Sequence, residues 1–166
     1  MNGTPAPVLF VSPGQINLQA PSIPDTQSLI EVRVAGQRVA RGPMNIVKAA
    51  PGILIALNQD GRLNTTAAPA RRGQVLSLYA TGLGDSSPAI TDGYPGPALP
   101  PALAVQLPTA SVGGVAATPH YAALAPGLVG VWRVDLIIPA TVPQGNAVPV
   151  NIKQGFTSTD LSVAIQ

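Results

Sequence analysis

No window of a dozen residues in this chain carries an apolar helical stripe free of proline and glycine. A helix interior rejects proline, which lacks the N–H donor and clashes with the preceding turn, and it is weakened by glycine. The 17 glycines and 19 prolines among 166 residues are spread along the whole length, so a helix has nowhere to run. What lies between them is short and rich in β-branched residues: Val8–Val11, Ile16–Leu18, Ile30–Val34, Ile46–Val47, Ile53–Leu57, Val75–Ala80, Ala104–Leu107, Val131–Ile138, Val148–Ile152 and Leu161–Ile165. Several alternate, as in Val148, Val150 and Ile152 around Pro149 and Asn151. Period two buries one face of a strand and wets the other. Pro13-Gly14, Ala35-Gly36, Pro51-Gly52, Asp60-Gly61, Gly113-Gly114, Pro126-Gly127 and Gln144-Gly145 supply the turns between them. Short strands at this spacing predict an all-β sandwich.

Composition narrows the function classes. Hydrophobic residues are 46% and charged residues 10%, against about 25% charged in an ordinary soluble domain, so the chain can bury a core and is not a disordered tail. The absence of cysteine excludes disulfides, thiolate nucleophiles and Cys-ligated metals. No apolar run approaches the roughly 18 residues a membrane-spanning helix needs. The nine basic residues are scattered and aromatics are 4%, whereas nucleic-acid binding wants a basic stripe with stacking platforms. Met1-Asn2-Gly3-Thr4-Pro5 has neither the basic nor the apolar region of a signal peptide, and the expectation is a fragment of a longer secreted protein.

The chain also repeats itself. Asn2-Gly3 matches Gly113-Gly114, Phe10 matches Tyr121, and Ser12-Pro13-Gly14 matches Ala125-Pro126-Gly127. Ile16-Asn17-Leu18 matches Val134-Asp135-Leu136, and Gly36 follows Pro24 by the same interval as Gly155 follows Pro143. Five anchors in order predict two tandem immunoglobulin-like β-sandwich modules, 1–66 and 67–166. The first is incomplete at its N-terminus, because strands that precede the Gly113-Gly114 anchor have no counterpart before Asn2. An open sheet edge templates association, so the expected partners are upstream domains of the same polypeptide or neighbouring protomers through that edge.

Asn2-Gly3-Thr4-Pro5-Ala6-Pro7, Ser12-Pro13-Gly14-Gln15-Ile16-Asn17-Leu18-Gln19-Ala20-Pro21, Ala56-Leu57-Asn58-Gln59-Asp60-Gly61, Leu78-Tyr79-Ala80-Thr81-Gly82-Leu83-Gly84 and Leu124-Ala125-Pro126-Gly127-Leu128-Val129-Gly130 carry a resemblance. Across nearly the whole chain the sequence resembles the uncharacterised C-terminal domain of Solibacter-type acidobacterial secreted proteins. The second half is similar to IPT/TIG immunoglobulin-like domains through Thr81-Gly82-Leu83-Gly84 and Val112-Gly113-Gly114-Val115. The resemblance implies an extracellular or cell-surface β-sandwich module and no activity. His120 and Trp132 depart from the pattern, standing where an aliphatic residue and Tyr are expected.

Candidate sites are sparse. Gly84-Asp85-Ser86 has the look of a hydrolase nucleophile block, but His120 is the single histidine on which a triad could be built. One His and no Cys leave no ordinary zinc site. Asn58, Asp60, Asn64 and Asp85 could offer oxygens to calcium, yet Asn58-Gln59-Asp60-Gly61 reads as a hairpin turn, with Asp60-Gly61 at positive φ. The carboxylates Asp25, Glu31, Asp60, Asp85, Asp92, Asp135 and Asp160 show no pairing for glycoside hydrolysis. Asp135 is expected at an exposed rim beside Arg133. Trp132, Tyr121, Tyr79, Phe10 and Phe156 are expected in core or inter-module packing. The residues left for binding are Tyr94 and Asp92 in the Pro/Gly-rich segment 84–101, and the adjacent pair Arg71 and Arg72. The expected function is a non-catalytic extracellular module for attachment, spacing or assembly of a larger protein, without metal or cofactor. The alternatives are a self-assembling subunit that donates strands, or a carbohydrate-binding module contacting polysaccharide.

Overall fold

The computed structural model describes residues 1–23, 26–155 and 157–166. The chain is all-β: no helix occurs among the described residues, so none is long and apolar enough to cross a membrane. It divides into two compact units, residues 1–48 with 91–94, and residues 49–90 with 95–166. The division thus falls at Lys48/Ala49 where the sequence placed 66/67, because Gly52–Leu57 pairs with Val75–Thr81.

The first unit is two hairpins. β1 (Val8–Ser12) and β2 (Gln15–Leu18) pair antiparallel through Pro13-Gly14, and β3 (Gln27–Val34) pairs with β4 (Gln37–Asn45) through Ala35-Gly36. Both residues of that second turn have positive φ, 48° and 78°. Such a turn matches the right-handed twist of the flanking strands. It explains how a polar, Gly- and Pro-bearing stretch with two arginines becomes β4, a strand its composition hides: the turn lays it against β3, and Ile46–Val47, expected as a strand, falls just beyond its end. Asn2-Gly3 forms another positive-φ pair, 46° and 85°. Asn2 donates from its backbone N–H to the Leu29 carbonyl at 3.1 Å, and its Oδ1 accepts from the Leu29 N–H at 2.7 Å. These polar ties substitute for a core: among the described residues of this unit only Met1, Pro21 and Ser28 are buried, and the Ser28 hydroxyl has no partner.

The second unit holds ten strands. β5 (Gly52–Leu57), β6 (Val75–Thr81), β7 (Ser86–Ser87), β8 (Leu103–Ala104), β11 (Pro119–Leu124) and β12 (Trp132–Ile137) form one sheet in the order β5-β6-β12-β11-β8-β7. β9 (Thr109–Val112), β10 (Val115–Ala116), β13 (Gly145–Gln154) and β14 (Thr157–Ile165) form the other, ordered β10-β9-β13-β14. Leu76, Leu78, Val134 and Leu136 from the first sheet and Val112, Val150, Ile152 and Val163 from the second join one buried cluster. That is the two-layer packing of a β-sandwich. The expected strand Ala104–Leu107 shrinks to β8, while β9 and β11 arise where no strand was expected. In β11 the weak strand formers Pro119, His120 and two alanines are held by partners on both sides.

The hairpins of the two units share their register. In β1–β2 the pairs are Val8↔Leu18, Phe10↔Asn17, Val11↔Ile16 and Ser12↔Gln15, with a bulge between Val8 and Phe10. In β11–β12 they are Pro119↔Leu136, Tyr121↔Asp135, Ala122↔Val134 and Ala123↔Arg133, with the bulge between Pro119 and Tyr121. Every residue of β1 therefore has its counterpart 111 positions on and every residue of β2 its counterpart 118 on. Gly113-Gly114 adopt φ of 57° and 79°, and the Gly113 N–H donates to the Pro149 carbonyl at 2.7 Å, as Asn2 does to Leu29. Two anchors shift: the register makes Ala123, not Ala125, the counterpart of Ser12, and pairing of Val34 with Gln37 and of Gln154 with Thr157 makes Ala35, not Gly36, the counterpart of Gly155. Pro24, Asp25 and Phe156, named in the sequence reading, lie outside the described residues.

Candidate functional site

The 84–101 segment is divided between the units. Residues 91–94 belong to the first, where the Asp92 carboxylate accepts from the Ser22 N–H at 2.7 Å and from the Ser22 hydroxyl at 3.1 Å. The Gly93 N–H donates to Gln19 Oε1 at 2.7 Å. Asp92 is thus engaged in closing a loop of its own unit, while Tyr94 beside it is 66% exposed. Gly84-Asp85-Ser86 runs into the edge strand β7, and the Ser86 hydroxyl donates to the Pro88 carbonyl at 2.9 Å. His120 is exposed and occupies the bulge of β11. No hydrogen bond joins it to Ser86 or to a carboxylate among the described residues.

Arg71 and Arg72 are exposed in the second unit. Arg71, with Asn58, Asp60, Arg62 and Gln74, lines an open polar cleft of about 350 Å³. Its floor is structural. Asn58 donates through Nδ2 to the Ala68 carbonyl at 2.7 Å, Asn64 donates to Asn58 Oδ1 at 2.9 Å, and Asn64 exchanges two bonds with the Ala164 backbone. Each of these two amide oxygens thus already accepts one hydrogen bond from the protein. The rim pair Arg62–Asp60, at 2.7 Å, holds the Asp60 carboxyl below its ordinary value, chiefly through the Arg62 guanidinium hydrogen bond. The Asn58–Arg62 turn differs from expectation in one respect: Gly61 alone has positive φ, 80°, and its N–H donates to Asn58 O. This is a type I turn closed by a glycine rather than a two-residue turn. No group of three or more His, Asp or Glu among the described residues is placed to hold a metal.

Asp135 is only 7% exposed, not at a rim. It accepts two hydrogen bonds from Arg133, Nε at 2.9 Å and Nη2 at 2.8 Å, and these raise the guanidinium pKa above its ordinary value. The Arg133 guanidinium carbon lies 5.8 Å from the centre of the Tyr121 ring. Register places Tyr79, Arg133 and Ala123 in one row across the sheet and Ser77, Asp135 and Tyr121 in the next. All six share the face turned from the core. Tyr79 and Tyr121, expected in core or inter-module packing, are half-buried on that outer face, whereas Trp132 packs into the core.

The other notable surface is the hairpin β1–β2. Val8 is 57% exposed, Leu9 51%, Phe10 50% and Val11 64%, and Ile16 is exposed as well. No charged side chain precedes Asp25. β2 pairs with β1 alone among the described residues, so its outer edge is open. Four consecutive apolar residues without a charge, Val8–Val11, were legible in the sequence as a strand, but not their exposure. No family model, no curated protein and no solved structure matches this chain.

Proposed function

We propose that the chain is a non-catalytic extracellular β-sandwich module for attachment, spacing or assembly of a larger secreted protein, built as two versions of one immunoglobulin-like plan with the earlier version incomplete. The membership suggested by sequence, the acidobacterial C-terminal domain with an IPT/TIG-like second half, belongs to this proposal. The shared register of β1–β2 and β11–β12, bulge included, supports the doubled plan. The observation that carries the assembly reading is the exposure of Val8, Leu9, Phe10 and Val11 on an uncharged hairpin. Monomeric soluble surfaces rarely keep such a patch bare, and a strand edge without lysine, proline or an inward charge has no guard against pairing. Sedimentation velocity over a wide concentration range tests it. The expected result is reversible association that a Val8→Lys/Val11→Lys variant abolishes, with the Trp132 fluorescence of the second unit unchanged. Association indifferent to those substitutions overturns the reading.

A second reading, carbohydrate binding, is favoured by one observation: Tyr79 and Tyr121 stand on the same face of the sheet, on strands flanking β12 and in successive rows, roughly 12 Å apart. Tyrosine rings beside an Arg–Asp pair suit the apolar faces and hydroxyls of sugars. Polysaccharide pull-down, lost in Tyr79→Ala and Tyr121→Ala and kept in Tyr94→Ala, is the outcome this reading requires.

A further inference from the structure

We infer that the open edge of β2 is an acceptor for one kind of strand, an uncharged, extended segment with β6 chemistry that adds antiparallel along Gln15–Leu18 and comes from a separate polypeptide. The inference rests on the doubled plan proposed above and names the partner that plan implies. In the second unit the counterpart edge is filled. β12 carries β11 on one side and β6 on the other, and the β6 pairing runs through Trp132↔Ala80, Arg133↔Tyr79, Val134↔Leu78, Asp135↔Ser77, Leu136↔Leu76 and Ile137↔Val75. The constant offset carries Val134, Asp135 and Leu136 back to Ile16, Asn17 and Leu18. A strand on β2 would therefore set its residues opposite Ile16, Asn17 and Leu18, as Leu78, Ser77 and Leu76 stand opposite their counterparts.

Charge narrows the choice of occupant. The acceptor hairpin has no charged side chain, and neither has β6, Val75–Thr81. A strand such as β3 or β4 would carry Glu31, Arg33, Arg38 or Arg41 onto an apolar surface with no opposite charge to receive it, at the cost of desolvation. Gln15 and Asn17 stand where Arg133 and Asp135 pair, so the acceptor edge is neutral at the two positions where the filled edge is charged. Backbone bonds along the edge would give affinity, and the apolar alternation the specificity, as in strand addition generally.

The probe is a fluorescent synthetic peptide of residues 74–82, titrated into the full chain at concentrations where the chain is monomeric. Expected are saturable binding, slowed hydrogen exchange confined to 15–18, and no binding of a scrambled peptide of the same composition. Ile16→Lys on the acceptor should weaken binding about tenfold or more, because a buried cation lacks a partner there. Asn17→Ser, which keeps the strand and removes no apolar contact, should leave binding within about twofold. Trp132 fluorescence verifies that the second unit of each variant is folded. Protection falling on β12 or β5, equal binding of the scrambled peptide, or no binding at all overturns the inference. So does concentration-dependent protection of 15–18 that the peptide fails to compete, which would make a second copy of this chain the occupant. Self-association without peptide binding would sink this inference and leave the assembly reading standing, whereas peptide binding by a chain that never associates would do the reverse.

Discussion

Two hairpins of this chain share one pairing register and one bulge position, and they lie in opposite energetic circumstances. Val134 and Leu136 of β12 are fully buried, flanked by β6 and β11 and covered by Val150, Ile152 and Val163 from the facing sheet. Their counterparts Ile16 and Leu18 sit on a two-stranded ribbon, the first exposed and the second half-buried. Among the described residues the first unit buries just two apolar side chains, Met1 and Pro21. Pairing register is thus set by local sequence (a turn, a bulge, an alternation), whereas stability is set by how many layers cover the result. An isolated two-stranded hairpin is marginal in water, and the first unit compensates with polar ties such as Asn2–Leu29 and Asp92–Ser22.

The sharpest test of that contrast is one substitution made twice. Leu136→Ala should cost about 2–5 kcal/mol, the loss of a fully buried leucine plus the cavity it leaves. Leu18→Ala, at the matching position, should cost about 1 kcal/mol or less. Denaturant unfolding followed by Trp132 fluorescence measures the first, and hydrogen exchange in β1–β2 measures the second. Similar losses at the two sites would break the comparison. Glycines repeat the experiment on the backbone. Gly82 has φ of 71°, and a Cβ there would collide with the Ala50 carbonyl, whose residue is already bonded to Gly82. Gly36 has φ of 78° with open space around it. Gly82→Ala should therefore destabilise the second unit by about 2 kcal/mol or more, and Gly36→Ala the first by about 1. Thermal melts of the two variants decide it.

The all-β class was legible because proline and glycine leave no room for helix, and the inward set Trp132, Val134 and Leu136 was legible from alternation. β4 and β11 were not, since their residues are poor strand formers whose partners lie elsewhere in the chain. Phe10 shows the limit most plainly. Aromatic bulk says that a residue would gain from burial, but whether a second layer exists to bury it depends on the rest of the fold, and Phe10 stays half exposed. Asp92 illustrates the converse: its loop carboxylate takes two hydrogen bonds from Ser22, 70 residues earlier, a structural tie that the sequence does not show. The sharing of one outer face by Tyr79 and Tyr121 needed the strand order, because β6 is a neighbour of β12 only through non-local pairing.

Asp135 offers a smaller effect that separates the hairpins by charge. Asp135→Asn reproduces the residue found at the counterpart position, Asn17, and leaves Arg133 without its bidentate acceptor. Because Arg133 is 43% exposed and can turn to water, the expected loss is about 1–2 kcal/mol rather than that of a fully buried pair. Asn17→Asp in the first unit should be close to neutral at low salt. Chemical denaturation of both variants checks this, and a loss at Asn17 equal to that at Asp135 would show that the first unit buries the position after all.

The weakest expected effect lies in the first unit, at the one cluster of charges it owns. Glu31 on β3 meets Arg33, and Arg38 across the strand pair at 3.5 Å. The Arg33 hydrogen bond, more than any other influence, holds the Glu31 carboxyl below its ordinary value. A carboxylate with a lowered folded-state pKa stabilises above its unfolded value, about 4.3 for glutamate, and loses that contribution as pH falls through the lowered value. The β3–β4 hairpin should accordingly loosen slightly below about pH 4, faster amide exchange at 31–38 being the sign of it. Glu31→Gln should remove that pH dependence, and high salt should blunt it, since the group is open to solvent. The second unit has its own exposed pair, Asp60–Arg62, but there the turn also lies on a sheet with a packed core. The same acidification should leave exchange around Asn58–Arg62 almost unchanged, and equal loosening at both turns would show that core packing does not buffer local charge loss in this fold.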